Sequence, residues 1–284
     1  MIDLGNFFKE IRTNKGYSQR YMAKNILNQS SYSKVEKRSI DLTTSKYIYL
    51  LEKLDMEHEE FQFIANDYKY KNKTKLVKTF FNLKHNDEKS LRAIKKEAQS
   101  YLLLNDDKLI QDIVSICEGL IILAKTNDIE LARGYVNKVW TRLEKFDNWY
   151  LTELSLINTI LFIFPIETAI HITEKALKQL EKYQKYDGSE KLVLNFQFNL
   201  VLLLLDSKHY KAGLKVVDDV ILMCKRNRFY YQLAICYARK GIFLTNLKES
   251  NSEEFYQKSF QLMNIMEEDD IKIEVEKEID HYTK

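Results

Sequence analysis

The first apolar residues of the chain recur at the three- and four-residue spacing of an amphipathic helix. This spacing predicts a helix over residues 4–13, and its inward face carries Leu4, Phe7, Phe8 and Ile11. Two later runs, residues 45–54 and 57–66, predict further helices of the same kind. The first of them directs four residues toward a shared core: Tyr47, Leu50, Leu51 and Leu54. We therefore expect a small helical module at the start of the chain.

Residues 17–38 predict two short helices joined by a tight turn. Ser18 is a good N-cap for the first helix, which is predicted over residues 19–26 with apolar positions at Tyr21, Met22 and Ile26. Asn28 is a good N-cap for the second helix, which packs through residues such as Val35. Two short helices in this order are typical of the helix-turn-helix.

The second of these helices carries small or slender polar side chains. They are Gln29, Ser30, Ser31, Ser33 and Lys34. Side chains of this kind can enter the major groove of B-DNA and reach base edges. The helix is therefore predicted to read a DNA sequence.

Positive charge is concentrated around the same two helices. The whole chain has a formal net charge of only +3. Between Lys9 and Lys46, however, nine Lys or Arg residues stand against three acids, Glu10, Glu36 and Asp41. A local excess of six positive charges is typical of a surface that binds the phosphate backbone of DNA.

The rest of the chain, from Lys75 onward, predicts about ten helices with short polar connections. Four stretches of similar form begin at Ile129, Ile166, His209 and Glu253. Equivalent positions in them lie 37, 43 and 43 residues apart, at Ala132, Ala169, Ala212 and Phe255. This spacing favours tetratricopeptide-like (TPR-like) pairs of helices that stack and bury one continuous core. An irregular helical bundle is the alternative.

Composition supports an all-α chain of two domains. One proline and seven glycines among 284 residues are too few for a protein of sheets and turns, and 45% hydrophobic residues can build a core. The segment DYKYKNKT is polar and rich in lysine. We therefore expect a helix-turn-helix domain over residues 1–66, a linker or helical connection over 67–75, and a helical repeat domain over 76–284.

The motif residues resemble those of a known family. Ser18-Gln19, Ala23 and Ser33-x-x-Glu36 are similar to the Cro/C1-type helix-turn-helix. With the long helical remainder, they make the chain resemble the Rgg/GadR/MutR regulators of low-GC Gram-positive bacteria. The resemblance implies an all-α fold, in which a DNA-binding helix-turn-helix domain precedes a TPR-like right-handed stack of helical hairpins. It also implies that this stack senses a peptide and forms a homodimer.

The resemblance further assigns roles around the helix-turn-helix. Arg12 and Glu36 match positions that hold an internal ion pair, so Glu36 is expected to be architectural and not a base reader. Gln19, at a helix start, is placed to touch a phosphate. Four cations are further candidates for contacts with the DNA backbone: Lys15, Arg20, Lys37 and Arg38. Arg38 stands where the family often has a helix-ending glycine. It therefore either ends the helix at a higher conformational cost than glycine or lets the helix continue.

The candidate ligand site lies in an apolar helix that is interrupted by carboxamides. Asn195 and Asn199 are one turn apart in the run KLVLNFQFNLVLLLL and share a face. A carboxamide can pair with both the N–H and the C=O of an extended peptide. The resemblance implies that Asn199 grips the backbone of a peptide ligand. The alternative is that these amides hydrogen-bond between neighbouring helices.

Two other apolar helices supply further candidates for peptide binding. Tyr237 matches a tyrosine on the ligand face of the resembled family. Arg239 can receive a peptide carboxylate bidentately, or it can be a surface residue whose charged end reaches solvent. Asn158 is a candidate in the run WYLTELSLINTILFIF.

The sequence lacks the motifs of an enzyme or a cofactor-binding protein. It has no glycine-rich phosphate loop, serine elbow or metal-ligand cluster, so no catalytic residue, metal or cofactor is predicted. Cys117, Cys224 and Cys236 lie in apolar runs and are expected to be buried, reduced thiols. Neither a secretory signal nor an apolar run long enough to span a bilayer is found, so we expect a cytoplasmic protein with no membrane partner.

These features predict a sequence-specific transcriptional regulator controlled by a short intracellular signalling peptide of the quorum-sensing type. Its expected partners are double-stranded operator DNA, the peptide and a second copy of the chain, and RNA polymerase is a further candidate. Two alternatives stay open: a regulator whose helical domain senses a metabolite or a protein, and a TPR-like interaction scaffold. The sequence does not distinguish an activator from a repressor.

Overall fold

The structure, a computed structural model, describes residues 4–83 and 87–284. Within those residues it contains sixteen α-helices, two short 3-10 turns and no strand. The first seven helices are α1 (Leu4–Asn14), α2 (Gln19–Ala23), α3 (Gln29–Glu36), α4 (Thr44–Lys53), α5 (His58–Ala65), α6 (Asn72–Phe81) and α7 (Glu88–Leu102). The others are α8 (Lys108–Thr126), α9 (Ile129–Leu143), α10 (Leu151–Ile160), α11 (Ile166–Leu180), α12 (Ser189–Asp206), α13 (Tyr210–Asn227), α14 (Tyr230–Leu247), α15 (Ser252–Ile265) and α16 (Asp269–Thr283). The all-α prediction is confirmed.

The chain divides into two compact units. The first comprises Met1–Leu83 and Glu97–Asp106, and the second comprises Lys84–Lys96 and Asp107–Lys284. The limits drawn from the sequence, at residues 66 and 76, do not coincide with these divisions and stay a prediction.

The core of the first unit is supplied by α1 to α5 and by the turn after α4. It consists of Phe8, Ile11, Met22, Ala23, Tyr32, Leu50, Leu51, Leu54 and Phe61. The Phe8 ring lies 4.8 Å from the Phe61 ring and 5.9 Å from the Tyr47 ring, measured between centroids. The inward position predicted for Leu4 is wrong, because 39% of this residue is exposed. Leu4 is the first residue of α1 and stands at the edge of the buried face.

A residue with left-handed backbone conformation lies just beyond the end of each helix of the predicted helix-turn-helix. Helix α2 ends at Ala23, three residues before the predicted end, and Asn25 has a φ of 71°. Asparagine tolerates this conformation better than most residues, so it suits the turn. Helix α3 ends at Glu36, and Arg38 has a φ of 58°. Arg38 therefore ends the helix in the conformation for which glycine is usual.

The second unit is built from consecutive helical hairpins. Helix α8 packs on α9, α12 on α13, and α14 on α15. The four similar stretches fall at the starts of α9, α11, α13 and α15. Helices α9, α13 and α15 are the second helices of the pairs just named, and α11 packs on α12. Helix α12 contacts both α10 and α14, so the first helices of successive pairs are neighbours. Helix α16 packs on α14 and α15 and follows the last pair.

The repeated small residue has a different register in the third pair. Ala132 and Ala169 have no exposed surface and are the fourth residues of α9 and α11. Ala212 is exposed, whereas the adjacent Gly213 is buried. Helix α13 begins at Tyr210, so Gly213 is its fourth residue and the equivalent of the two alanines. The assignment of Ala212 was wrong by one residue, because the sequence alone did not fix the first residue of this helix.

Gly213 and Gly134 provide a matched pair of glycine-to-alanine substitutions. A Cβ on Gly213 would lie 2.2 Å from Cε1 of the fully buried Phe243 ring, so Gly213→Ala is expected to cost about 1–3 kcal/mol. A Cβ on Gly134, which is exposed on α9, would meet nothing within 4 Å. Gly134→Ala is therefore expected to stabilise the protein by about 1 kcal/mol. Denaturant unfolding measures both changes, and effects of the same sign would contradict the packing of α13 on α14.

The second unit contains three buried thiols and a buried indole. Cys117, Cys224 and Cys236 are buried free thiols, as predicted. The indole Nε1 of Trp149 donates a hydrogen bond to the Leu143 carbonyl at 2.8 Å. In the two described ranges, no helix combines the length and the apolar character that crossing a membrane requires. The same ranges place no three His, Cys, Asp or Glu side chains together as metal ligands.

Candidate functional site

Two N-caps fix the turn between α2 and α3. Ser18 Oγ accepts a hydrogen bond from the Tyr21 N–H at 3.0 Å, and Asn28 Oδ1 accepts one from the Ser31 N–H at 2.7 Å. Asn28 Oδ1 also accepts a hydrogen bond from the Ser30 hydroxyl at 2.9 Å. Both caps are the predicted ones, and α3 packs on α1 and α2. The arrangement is a helix-turn-helix.

Helix α3 has a buried apolar face and an exposed polar face. The residues turned inward are Tyr32, Val35 and Glu36. Three of the five predicted base readers are exposed, namely Gln29, Ser30 and Lys34, and the other two, Ser31 and Ser33, are half-buried. At about 100° per residue, Ser33 falls within the arc of the exposed residues, whereas Ser31 falls toward the buried side. The four cations that are predicted to contact the DNA backbone are all exposed: Lys15, Arg20, Lys37 and Arg38.

A buried ion pair joins α1 to the end of α3. Arg12 Nε donates to Glu36 Oε1 at 2.6 Å, and Arg12 Nη2 donates to Glu36 Oε2 at 3.2 Å. The two side chains are only 13% and 2% exposed. Arg12 Nη1 also donates to the Tyr17 carbonyl at 2.7 Å. The pair expected from the resemblance is thus present, and it is bidentate.

Gln19 takes part in the same network. Its Nε2 donates to Glu36 Oε2 at 2.7 Å, which ties the start of α2 to the end of α3. A side-chain amide carries two hydrogens, so the second remains available to another acceptor. The structure therefore gives Gln19 an internal role that the sequence did not predict, and its contact with a phosphate stays a prediction.

The network keeps Glu36 ionised. Burial by itself raises the pKa of Glu36, but the hydrogen bonds from Arg12 and Gln19 outweigh it and leave the pKa below its ordinary value. The hydrogen bonds between Arg12 and Glu36, together with the charge of Glu36, raise the pKa of Arg12 although burial opposes them. Both groups are therefore charged near neutral pH, and neither is free to read a base.

The candidate peptide face contains an amide bridge between two hairpins. Asn199 Nδ2 donates to the Asn158 backbone carbonyl at 3.2 Å and to Asn158 Oδ1 at 3.1 Å. Both residues are half-buried, and the bridge joins α12 to α10. This is the arrangement that the sequence analysis gave as the alternative to peptide binding. Asn195 is half-buried on the same side of α12, one turn earlier.

Arg239 is neither a surface residue nor an available carboxylate receptor in this structure. It is only 5% exposed, so the surface interpretation is wrong. Its Nε donates to Glu278 Oε1 at 2.7 Å, and its Nη2 donates to Glu278 Oε2 at 3.3 Å. Its third contact is with the Phe198 carbonyl, 3.3 Å from Nη1. The side of the guanidinium that would receive a peptide carboxylate is thus occupied by a carboxylate of α16.

Tyr237 is buried and packs against α15. It is 9% exposed, and its ring packs 6.0 Å from the Phe255 ring of α15, between centroids. Tyr237 and Arg239 are two positions apart on α14, so their side chains point about 160° apart. The structure thus joins Asn158 and Asn199 by hydrogen bonds, and Tyr237 packs against α15 on a side of α14 nearly opposite to Arg239.

Helix α16 supplies residues that the sequence analysis missed. Besides Glu278, Tyr282 donates its hydroxyl hydrogen to Asp206 at the end of α12. The Tyr282 carbonyl accepts a hydrogen bond from Asn246 Nδ2 at 2.9 Å. The acids of α16 look like a solvated face in the sequence, and no local pattern marks Glu278 as the partner of Arg239. Only contacts between residues 39 positions apart reveal this pair.

These features define a class of protein, in which a helix-turn-helix domain is followed by stacked helical hairpins. Residues 115–277 match the family described as "HTH-type transcriptional regulator Rgg, C-terminal domain". The chain therefore belongs to the Rgg family of helix-turn-helix transcriptional regulators. The resemblance seen in the sequence is confirmed. No curated protein matches the chain.

Solved structures of three proteins are similar over nearly the whole chain. One, described as a transcriptional regulator of Listeria monocytogenes EGD-e, has a TM-score of 0.78 and 19% identity, with 99% of this chain and 97% of that chain covered. Bacillus thuringiensis PlcR, in complex with the peptide PapR7 and DNA, has a TM-score of 0.70 and 19% identity, with 97% and 99% covered.

The third is the SHP pheromone receptor Rgg2 of Streptococcus dysgalactiae. It has a TM-score of 0.72 and 14% identity, with 98% of this chain and 99% of that chain covered. At these identities the similarity concerns the fold. The fold prediction, a helix-turn-helix domain followed by TPR-like hairpins, is confirmed.

Proposed function

We propose that this chain is a sequence-specific DNA-binding regulator whose affinity for its operator is set by a short signalling peptide. The observation that carries the proposal is the network of Arg12, Gln19 and Glu36. It holds the buried face of α3 in place and leaves Gln29, Ser30 and Lys34 outward. Base recognition requires side chains on a rigid element, because a loosely held helix cannot keep its contacts in register. The local excess of positive charge supplies the phosphate-binding surface.

The peptide is proposed to bind at the bridge between Asn158 and Asn199. Each of these amides can exchange a hydrogen bond with its neighbour for one with the N–H or C=O of an extended peptide. Two relatives with the same fold support this choice of ligand. PlcR is known in complex with the peptide PapR7 and DNA, and Rgg2 is a pheromone receptor.

The protein is proposed to act in the cytoplasm as a homodimer and to bind without catalysing a reaction. Two copies of α3 would read two half-sites, as in other helix-turn-helix dimers. A peptide can change operator affinity only if it binds the DNA-competent and DNA-incompetent arrangements unequally. Peptide affinity alone therefore does not measure regulation, and operator affinity has to be measured with and without peptide.

Substitutions on α3 and just beyond it test the DNA-binding part. Lys34→Ala is expected to weaken binding to the fragment upstream of the protein's own gene by about 1–3 kcal/mol, because a base contact is lost. Lys37→Ala is expected to weaken binding to all fragments about equally and to reduce the salt dependence by about one phosphate contact. Fluorescence anisotropy over a series of salt concentrations separates the two. Lys145→Ala, at an exposed site outside the helix-turn-helix, is the control. If Lys34→Ala bound DNA with unchanged affinity and specificity, the assignment of α3 to the DNA interface would be wrong.

Asn199→Ala tests the peptide site. Synthetic peptides encoded by short reading frames beside the gene are titrated into the complex of protein and operator, and operator affinity is followed. The variant is expected to lose the response to the active peptide while it keeps its helical circular dichroism. Asn246→Ala is the matched control, because it also removes an amide that bridges two helices but lies at the junction of α14 and α16. A normal response of Asn199→Ala would show that the peptide binds elsewhere.

A further inference from the structure

A pocket of about 550 Å³ opens between α11, α12 and α13. Its apolar wall includes Leu177, Val193 and Met223, and its polar lining includes the amides of Gln184, Gln197 and Asn227. The volume lies within the range of about 300–1,000 Å³ that is usual for sites of small ligands. Apolar walls with a few convergent amides are also usual there.

This pocket lies on the side of α12 away from the candidate peptide face. Gln197 and Asn199 are two residues apart on the helix, so their side chains point about 160° apart. Asn199 bridges to α10, whereas Gln197 faces the pocket together with Val193, one turn earlier. A ligand in the pocket and a peptide at Asn199 would therefore touch opposite sides of one helix.

Gln197, which lines the pocket, carries an unsatisfied polar atom. Its side-chain carbonyl oxygen, Oε1, is buried and has no hydrogen-bond partner among the described residues. A buried acceptor without a partner is unfavourable and uncommon. Oε1 itself has no surface open to the pocket, but Gln197 lines the pocket, so a turn of its amide about χ3 would present the oxygen to a ligand that donates a hydrogen bond. An N–H group of a planar heterocycle between apolar walls is such a donor.

Positive charge continues from the pocket along α11. A second depression shares Glu181 and Gln184 with the pocket and is also lined by Lys175, Lys178 and Lys182. Arg226 lines the pocket itself, and Glu190 is its other acid. Four cations thus stand against two acids, and the positive end of the α12 dipole lies at Ser189 in the pocket wall. The surface favours an anionic group outside the amide-lined part.

We propose that this pocket is a nucleotide-binding site. The base lies against Leu177, Val193 and Met223 and donates an N–H hydrogen bond to Gln197 Oε1. The phosphate lies over Lys178 and Lys182 at the shared edge of the two depressions. The site is distinct from the helix-turn-helix and does not depend on the proposed peptide control.

Calorimetric titration of the full chain tests the proposal, with the 5′-monophosphates of adenosine, guanosine, cytidine and uridine as separate probes. At least one is expected to bind with one site per chain, and the corresponding nucleoside is expected to bind at least about tenfold more weakly. Gln197→Leu removes the unsatisfied carbonyl, so it is not expected to destabilise the fold, and it should weaken nucleotide binding about tenfold. Asn199→Ala, on the other side of α12, should leave binding unchanged.

The contribution of the lysines is measured separately at exposed positions where substitutions do not threaten folding. Lys178→Ser combined with Lys182→Ser should weaken binding of the nucleotide and leave that of the nucleoside unchanged. Lys185→Ser, an exposed lysine of the same segment outside both depressions, is the control. The proposal is overturned if no monophosphate binds at millimolar concentration, if nucleoside and nucleotide bind equally, or if Gln197→Leu binds like the native chain.

Discussion

Arg12→Ala is expected to destabilise the first unit by about 3–5 kcal/mol, the usual consequence of removing one partner of a buried ion pair. The substitution leaves Glu36, whose side chain is 2% exposed, without the two hydrogen bonds that keep it ionised in the core. It also removes the donor to the Tyr17 carbonyl and so loosens the start of the turn. Operator binding should be lost together with the fold of this unit.

The effect should be confined to one unit, and this provides an internal control. Both tryptophans of the chain, Trp140 and Trp149, belong to the second unit. Denaturant unfolding followed by circular dichroism should therefore show an early loss of helix, while the transition in tryptophan fluorescence stays unchanged. Arg20→Ala, which removes an exposed arginine of the same unit, should have little effect on either signal.

The destabilisation by Arg12→Ala should also depend on pH. In the native chain the folded pKa of Glu36 is below its ordinary value, so its contribution to stability is complete above about pH 4.3 and is lost as the pH falls through the folded pKa. In the variant, burial without a cationic partner raises the pKa of Glu36, and protonation relieves the uncompensated charge. The difference between the two proteins should thus be smaller at pH 4 than at pH 7. An equal difference at both pH values would show that the loss is one of packing and not of charge pairing.

Arg239→Met is expected to destabilise the second unit by about 3 kcal/mol. The substitution keeps an apolar stem of similar length but leaves Glu278 without its bidentate partner and the Phe198 carbonyl without a donor. The loss falls at the lower end of the range for buried pairs, because the Glu278 side chain keeps 22% exposure and can gain some hydration. Tryptophan fluorescence during denaturant unfolding reports on this unit.

The double variant Arg239→Met with Glu278→Gln distinguishes two causes of the destabilisation: the unpaired charge of Glu278 and the loss of the other contacts of Arg239. Removing both charges should restore much of the stability, because no uncompensated carboxylate then remains. Lys284→Met removes the cation of an exposed i,i+4 pair with Asp280 on the same helix and should have little effect. A double variant as unstable as Arg239→Met alone would mean that the lost hydrogen bond to the Phe198 carbonyl, and not the broken ion pair, accounts for the destabilisation.

Much of the helix-turn-helix follows from local sequence. Ser18 and Asn28 cap the two helices because their side-chain oxygens accept backbone N–H groups only three residues away. Burial of Met22 and Val35 follows from helical spacing in the same way. The ends of the helices were less predictable, since Asn25 and Arg38 adopt left-handed backbone that many other sequences avoid.

The hydrogen bonds of the candidate ligand site depend on contacts between helices that are distant in sequence. The positions of Asn158 and Asn199 on one face of each helix are a matter of periodicity, but their hydrogen bond depends on how two hairpins pack. Arg239 and Tyr237 are close in sequence, yet they lie on nearly opposite sides of α14, and Glu278 was not considered as a partner. In the sequence Gln197 is one more carboxamide in an apolar run, and only the packing of α11 and α13 around α12 leaves its side-chain carbonyl buried without a partner.

The sequence by itself determined the helical character of the chain, the two caps of the helix-turn-helix, the basic charge around it and the order of the helical pairs. These features depend on residues within a few positions of one another, where the geometry of a helix fixes which side chains meet. The tertiary structure decided that Gln19 hydrogen-bonds to Glu36 and that Glu278 pairs with Arg239. It also decided that Gly213, and not Ala212, is the small residue buried at the hairpin contact. Those outcomes depend on the packing of helices that are distant in sequence, and burial then determines which polar groups need a partner.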